Sequence, residues 1–290
     1  MEIKNIIYFH YPCTDGLASA WVATQNLKNY KLKPYQHGHT IPTDYSGKTI
    51  YFLDMAPPVE VYQKLIVDNT VYIIDHHISN QKEYQKFCDE NNISDPNVFF
   101  DLEHSGVGMT WIFFTPDKKM PIFLEMIQGR DLWKFDIENT NEFCEALSFA
   151  ISTVETIDDQ LKIFDEIYKK NLLEKYISTG KIMLKQKNIR IKHLASKYIK
   201  KIYIYESHKV CMANEPEYSS DLGNALSSQD QCDFAVIWKF DHISEKYIMS
   251  LRSCDKVDVS VICKKFGGGG HKNAAGCSSS IHPIVLFNQE

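Results

Sequence analysis

Three times in its first hundred residues the chain runs through an apolar stretch of strand length and breaks at a turn bearing His or Asp. Ile3 to Phe9 ends in His10-Tyr11-Pro12-Cys13-Thr14-Asp15-Gly16, after which Leu17 to Leu27 has the length and spacing of a helix. Lys48 to Leu53 stops at Asp54, and Pro57-Pro58 opens a helix reaching about Val67. Thr70 to Ile74 stops at Asp75-His76-His77. Strands this continuously apolar have no face to give to water, and the alternating helices supply the cover. The pattern therefore predicts an α/β fold with a parallel sheet clothed on both faces. Asn97 to Phe100 adds a further strand, a weaker second strand precedes His37-Gly38-His39, and Ser105 is placed to cap a helix through Phe114.

From Pro121 to Lys201 the signals are helical only. Asp158 to Lys201 reads as one long or two consecutive Lys-rich amphipathic helices, with any break near Gly180, and makes a natural connector. Beyond it the character changes. Lys201 to Glu206, Lys209 to Asn214, Asp233 to Phe240 and Lys246 to Arg252 read as strands, and Ser220 to Ser228 and Val257 to Phe266 as helices. A chain of 290 residues exceeds one typical domain, so the expected organisation is a parallel-sheet domain over 1–155, a helical connector over 156–200 and a smaller α/β domain over 201–290.

The polar turns carry the chemistry. His10, Asp15, Asp54, Asp75, His76 and His77 fall just past the C-terminal ends of the expected strands, the edge where open α/β sheets bind ligands. Singly, each has a plain structural reading, since an Asp there commonly caps a turn or helix. Three clusters after three strands point to one common cause. Carboxylates so gathered repel one another at neutral pH unless a cation sits among them, and a mixed carboxylate and imidazole set suits a divalent metal. The set exceeds what one tetrahedral zinc can use and fits two harder ions sharing an Asp, with the imidazoles tilting the choice to Mn²⁺ over Mg²⁺.

Charge narrows the partners. Lys and Arg number 32 against 37 Asp and Glu, a net charge of -5, so no overall basic field draws the chain to long nucleic acid, while a small phosphorylated ligand stays open. The arginines are Arg130, Arg190 and Arg252, each a candidate for two-point phosphate contact. Eight scattered cysteines without a CxxC pair predict reduced thiols. Every apolar run is shorter than the roughly 18 residues of a membrane span, which predicts a cytoplasmic protein with no membrane partner.

Asp75-His76-His77 after an apolar strand, preceded by His10-x-x-Cys13-x-Asp15-Gly16 and Asp54, resembles the DHH phosphoesterase superfamily. Gly267-Gly268-Gly269-Gly270-His271-Lys272-Asn273-Ala274-Ala275-Gly276 is similar to the signature of the DHHA1 substrate-binding domain that accompanies one of its subfamilies. The resemblance implies a two-Mn²⁺ site in which His10 and Asp54 serve one metal and Asp15, Asp54 and His76 the other, with a water or hydroxide between them. Asp131, in Gln128-Gly129-Arg130-Asp131-Leu132-Trp133, matches a fourth family position. Asp75 would orient His76, and His77 would meet the phosphate as hydrogen-bond donor or leaving-group acid. The resemblance also implies that the DHHA1 domain grips one end of the substrate across a cleft. The implied substrate is short: an oligonucleotide, 3′-phosphoadenosine-5′-phosphate or a cyclic dinucleotide.

One position departs from the family pattern, because the slot of a second Asp in the first motif holds Cys13. As a ligand, Cys13 would favour Zn²⁺ or Fe²⁺; as a small buried thiol, it would leave the His10 site weaker for Mn²⁺. Both readings stand. In the C-terminal motif the glycine run can bring backbone N–H groups close to an anion. Gly268, Gly269, Gly270, His271 and Lys272 thus form the expected phosphate cradle, with Arg252 as its clamp and a flexible turn as the plain reading. His104 is expected to border the substrate channel, and His37 and His39 to form an exposed pair.

The expected function is metal-dependent hydrolysis of phosphodiester or phosphomonoester bonds in short nucleotides. The rivals are a phosphomonoesterase or polyphosphate hydrolase, and a non-catalytic nucleotide binder disabled at Cys13. Retention of Asp15, Asp54, His76 and Asp131 argues against the last, since a dead site has no need of so much like charge. A homodimer is left open.

Overall fold

Alternating burial builds the first sheet. In β1 (Asn5–His10), Ile7 and Phe9 enter one apolar core while Ile6 and Tyr8 enter another, so neither face meets water. The computed structural model describes residues 2–36, 38–91 and 97–288; His37, expected in an exposed pair, lies outside them. After β1 come α1 (Thr14–Asn26), β2 (Tyr30–Tyr35), β3 (Thr49–Leu53), α2 (Val59–Leu65), β4 (Thr70–Asp75), α3 (Ile78–Asn91) and β5 (Val98–Phe100). The strands pair in parallel in the order β2-β1-β3-β4-β5. The chain leaves β1 on one side for β2 and rejoins on the other for β3. The connections therefore part between β1 and β3 and open a crevice at the C-terminal edge.

Both faces are covered. Over one lie α1, α4 (Gly106–Phe114), α5 (Ile122–Asp131), α6 (Thr140–Ser152) and α7 (Ile157–Lys170), contributing Trp21, Val107, Leu124, Phe143 and Phe164. Over the other, α2 and α3 contribute Tyr62, Leu65, Tyr84 and Phe87.

The helical region differs from the sequence reading in one respect. The final helix, α8 (Leu173–Tyr198), passes through Gly180 unbroken; the interruption falls at Asn171, whose left-handed backbone (φ 50°) ends α7. Gly180 serves packing instead, because a Cβ there would lie 1.7 Å from the carbonyl oxygen of Glu142 on α6.

Two compact units divide within α8, Met1–Leu184 and Lys185–Glu290. The second contains β6 (Ile202–Tyr205), β7 (His208–Asn214), α9 (Ser219–Ser227), β8 (Phe234–Asp241), β9 (Lys246–Ser253), α10 (Val259–Lys265), β10 (Gly269–His271), β11 (Ala274–Ser279) and α11 (Pro283–Leu286). Its six-stranded sheet has the order β10-β11-β9-β8-β7-β6, with β7 and β8 parallel and the other pairs antiparallel. Val210, Phe234 and Leu251 face α10 on one side; Cys211, Ala235 and Ile237 face α9 and Leu194 of α8 on the other. No helix among the described residues is long and apolar enough to cross a membrane.

Candidate metal centre

The sheet edge gathers the polar residues of several elements. β1 ends in His10, β3 is followed at once by Asp54, and β4 ends in Asp75 ahead of His76 and His77. Asp15 lies in the first turn of α1 and Asp131 ends α5. His10 Nδ1 lies 3.3 Å from Asp54 Oδ2, and His76 Nε2 lies 3.1 Å from Asp54 Oδ1 and 3.5 Å from Asp131 Oδ2. Potential ligand atoms group as His10, Cys13 and Asp54; as Asp54, His76 and His77; and as Asp15, His76 and Asp131, each group lying within 4.8 Å. Asp54 and His76 each belong to more than one group, so the groups overlap.

Backbone features aim these side chains. Asp54 takes a left-handed conformation (φ 57°), which costs a residue with a Cβ roughly 1–2 kcal/mol. Its N–H donates to Ile74 O at 2.9 Å, tying it to β4. The carboxylate fits because residue 106 is glycine: a Cβ there would lie 2.4 Å from that of Asp54. Gly16 is fixed in the same way, since its Cβ would lie 2.2 Å from the carbonyl oxygen of His10. Asp75 is fully buried. Its Oδ1 accepts from the backbone N–H of His76 (2.8 Å) and of His77 (3.2 Å) and lies 2.7 Å from His77 Nδ1, while Oδ2 accepts from Asn80 Nδ2 (2.6 Å). The resemblance implies that Asp75 orients His76; in these contacts it engages the ring of His77 and reaches His76 through the backbone.

The donor set fits a divalent cation. Asp15 Oδ1 accepts from Ser105 Oγ (2.7 Å) and from the Val107 N–H (3.2 Å) at the start of α4. Asp15 Oδ2 and Asp54 Oδ1 are buried yet take no hydrogen bond among the described residues. Buried carboxylate oxygens without donors require positive charge nearby.

The acid–base balance agrees. Burial, followed by the charges of Asp54 and Asp131, pushes the Asp15 carboxyl well above the usual carboxylate range. Burial also opposes ionisation of Asp54, but the hydrogen bond with His10 and the nearby His76 hold it below that range. Against its own burial, His76 is lifted to about 10 by Asp54, and His77 to about 9 by Asp75. Without a cation, protons provide the positive charge. Cys13 occupies the N-cap position of α1 with no side-chain capping bond. Burial and then the charges of Asp54, Asp131 and Asp15 push its thiol well up, so it is neutral in this state.

Sequence reasoning missed several supports. Ser105 does hold the cap position of α4, but its hydroxyl goes to Asp15 instead of the helix, and its N–H donates to Gln128 Oε1 at 3.2 Å. Gly106 and Gly108 are poor formers in the first turn of a helix, and that was the available signal of a close approach. His104, with Nδ1 2.6 Å from Asp101 Oδ2, lines a cavity of about 380 Å³ together with Gly108, Trp111, Gln128 and Lys134.

The C-terminal candidates lie in the second unit. Register sets His271 opposite Ala274 and Ala274 opposite Arg252, which brings Arg252 and His271 onto one face of β9-β11-β10. Arg252 Nη2 donates to Ser220 Oγ (2.8 Å) and Nη1 to Leu251 O (2.8 Å). Lys272 Nζ pairs with Asp255 at 3.0 Å. The glycine run forms a hairpin in which Gly268 and Gly270 approach β11: their Cβ atoms would lie 2.1 Å from Gly276 O and 2.5 Å from Ala274 O, whereas Gly269 faces open space.

Residues 215–282 match the DHHA1 domain. Uncharacterized protein R106 of Acanthamoeba polyphaga mimivirus is 31% identical, over 95% of this chain and 68% of its own length. Oligoribonuclease NrnB of Bacillus subtilis is 26% identical over 61% of this chain and 44% of that enzyme, so the match spans less than half of it. This chain belongs to the DHH phosphoesterase superfamily. As a DHH phosphoesterase it is a member of a divalent-metal-dependent hydrolase family. The pGpG-specific phosphodiesterase PggH of Vibrio cholerae aligns over 96% of this chain and 94% of its own with a TM-score of 0.52 at 12% identity, a likeness of fold. The DHHA1 match takes in Arg252 and the glycine motif; the candidate metal centre of this DHH phosphoesterase lies in the first unit.

Proposed function

We propose that this DHH phosphoesterase hydrolyses phosphodiester or phosphomonoester bonds of short nucleotides. We assign His10, Asp15, Asp54, His76 and Asp131 to two divalent cations, Mn²⁺ in preference. The observation that carries the reading is the overlap of donor groups on Asp54, which His10 and Cys13 share from one side and His76 and His77 from the other. When bound, such ions supply charge stabilisation at phosphoryl oxygens and activation of water. The chain's own residues position and move protons. Asp75 holds the His77 ring through Nδ1, and we assign His77 as the donor of a proton to the leaving oxygen. The side chains of His10, His77 and Asp131 remain 39%, 28% and 28% exposed, so the phosphate approaches over them.

Arg252, His271, Lys272 and the backbone at Gly269 and Gly270 are assigned to the substrate's phosphate end; the Gly268 N–H, expected in the same cradle, instead donates to Cys263 O at 2.9 Å and closes the end of α10. The Lys272–Asp255 pair is exposed and gives way to an anion at little cost. The name of the Bacillus relative supports an oligonucleotide class of substrate, and the net charge of -5 supports short over long ones. Steady-state hydrolysis with Mn²⁺ and with Mg²⁺ should be measured on the dinucleotide pApA, a cyclic dinucleotide, 3′-phosphoadenosine-5′-phosphate and inorganic pyrophosphate. Turnover of at least one nucleotide with Mn²⁺ is expected. Turnover of pyrophosphate alone would replace the nucleotide reading with a polyphosphate one.

A further inference from the structure

The segment from Gln128 to Phe135 carries more than one acidic side chain. α5 ends at Asp131, and the chain then folds back so that the Lys134 N–H donates to Gly129 O at 2.8 Å. Residue 129 must be glycine for this, because a Cβ there would lie 2.6 Å from the Lys134 carbonyl oxygen. The turn leaves Trp133 in the left-handed region (φ 57°), which bulky side chains rarely adopt and which is found where function requires it. What the turn produces is a displayed aromatic surface. Trp133 is 41% and Phe135 38% exposed, with ring centroids 5.2 Å apart and planes inclined at 72°. The Arg130 guanidinium lies 4.6 Å from the indole centroid and 5.9 Å from that of Phe135, and its Nη1 donates to Asn141 Oδ1 at 3.0 Å.

Stability alone would favour burying such rings, as the fold does with Trp21 and Trp111. This pair is instead held at the surface two and four residues beyond Asp131, which shares a group of potential ligand atoms with Asp15 and His76. An indole braced by a guanidinium offers a planar π-face and a positive charge side by side. A nucleobase with its attached phosphate matches both, and stacking does not depend on which base is presented. Resting on the short-nucleotide reading, we propose that Trp133, supported by Arg130 and Phe135, is the stacking platform for a nucleobase of the substrate, and that it makes the enzyme prefer nucleotides over bare phosphate esters without selecting among bases.

The test compares full-length parent, Trp133→Ala and Trp133→Phe, each loaded with Mn²⁺, on pApA and on the same diester lacking both bases. Trp133→Ala should raise KM for pApA roughly tenfold to a hundredfold at unchanged Mn²⁺ content, while Trp133→Phe stays near the parent. The base-free diester should be hydrolysed equally by all three. AMP should quench the tryptophan fluorescence of the parent but not of Trp133→Phe, and ribose 5-phosphate should quench neither. If Trp133→Ala cleaves pApA with unchanged KM, the platform is overturned while the phosphoesterase reading survives. If pApA is not cleaved by the parent yet AMP quenching depends on Trp133, the platform is upheld and the substrate reading fails.

Discussion

Asp54 carries several demands at once: a left-handed backbone, a glycine opposite its Cβ, one imidazole within 3.3 Å of each carboxylate oxygen, and one buried oxygen without a donor. Asp54→Asn keeps its shape and removes its charge. It is expected to lose most bound Mn²⁺ and more activity than the roughly 10- to 100-fold that loss of a supporting residue costs. Metal analysis by mass spectrometry checks this, and full Mn²⁺ occupancy in the variant would end the bridging role. Cys13 is the opposite case, a residue whose type suits its neighbours poorly. Its position lies within 4.8 Å of ligand atoms on His10 and Asp54 and is also the N-cap of α1, where Asp is among the best residues. Cys13→Asp is therefore expected to fold normally, bind Mn²⁺ more tightly and preserve or raise Mn²⁺-dependent turnover. A titration showing no gain in affinity, with activity lost, would remove position 13 from the metal centre.

Some effects belong to the contact between elements. α6 and α8 meet where Gly180 faces the carbonyl of Glu142, and both partners there are backbone atoms that cannot turn aside. Gly180→Ala should destabilise the protein by about 1–3 kcal/mol through overpacking, despite the better helix propensity of Ala. Thermal melting reads the loss, and Mn²⁺ content at low temperature should stay at the parent level. β9, β11 and β10 act as a second set, since their register alone brings Arg252 and His271 together. Arg252→Ala and His271→Ala should each lower kcat/KM for a nucleotide by roughly tenfold to a hundredfold, the worth of a charge-assisted contact, with metal content intact. Unchanged kinetics in both would show that this sheet does not hold substrate.

At the scale of the molecule, the donor groups lie in Met1–Leu184 and none of their residues in Lys185–Glu290. Saturating Mn²⁺, at about a hundred times its dissociation constant, should add about 2.7 kcal/mol per bound ion to the stability of the unit that binds it. Amide exchange should slow at the C-terminal ends of β1, β3 and β4 and in the first turns of α1 and α4. Equal slowing throughout β6 to β11 would contradict a site confined to the first unit. The sequence alone determined the parallel sheet and the strand ends that carry the chemistry, because both are local: apolar runs of fixed length, broken by His and Asp, read the same in any context. The edges of β1, β3 and β4 were legible for that reason, as was the order of β6, β7, α9, β8, β9 and α10 in the second unit, but not β10, β11 or α11. Only tertiary structure decided that Ser105 serves Asp15 instead of its helix, that Gly106 makes room for Asp54, and that Gly180 packs instead of breaking α8. It also decided that the glycine run pairs as β10 against β11, a strand with no apolar alternation to announce it. The first three depend on partners distant in sequence, at 90, 52 and 38 residues, and the choice between a local bond and a remote one is made by packing, which no pattern along one segment encodes; the hairpin is local but lacks the side-chain alternation by which a strand is read.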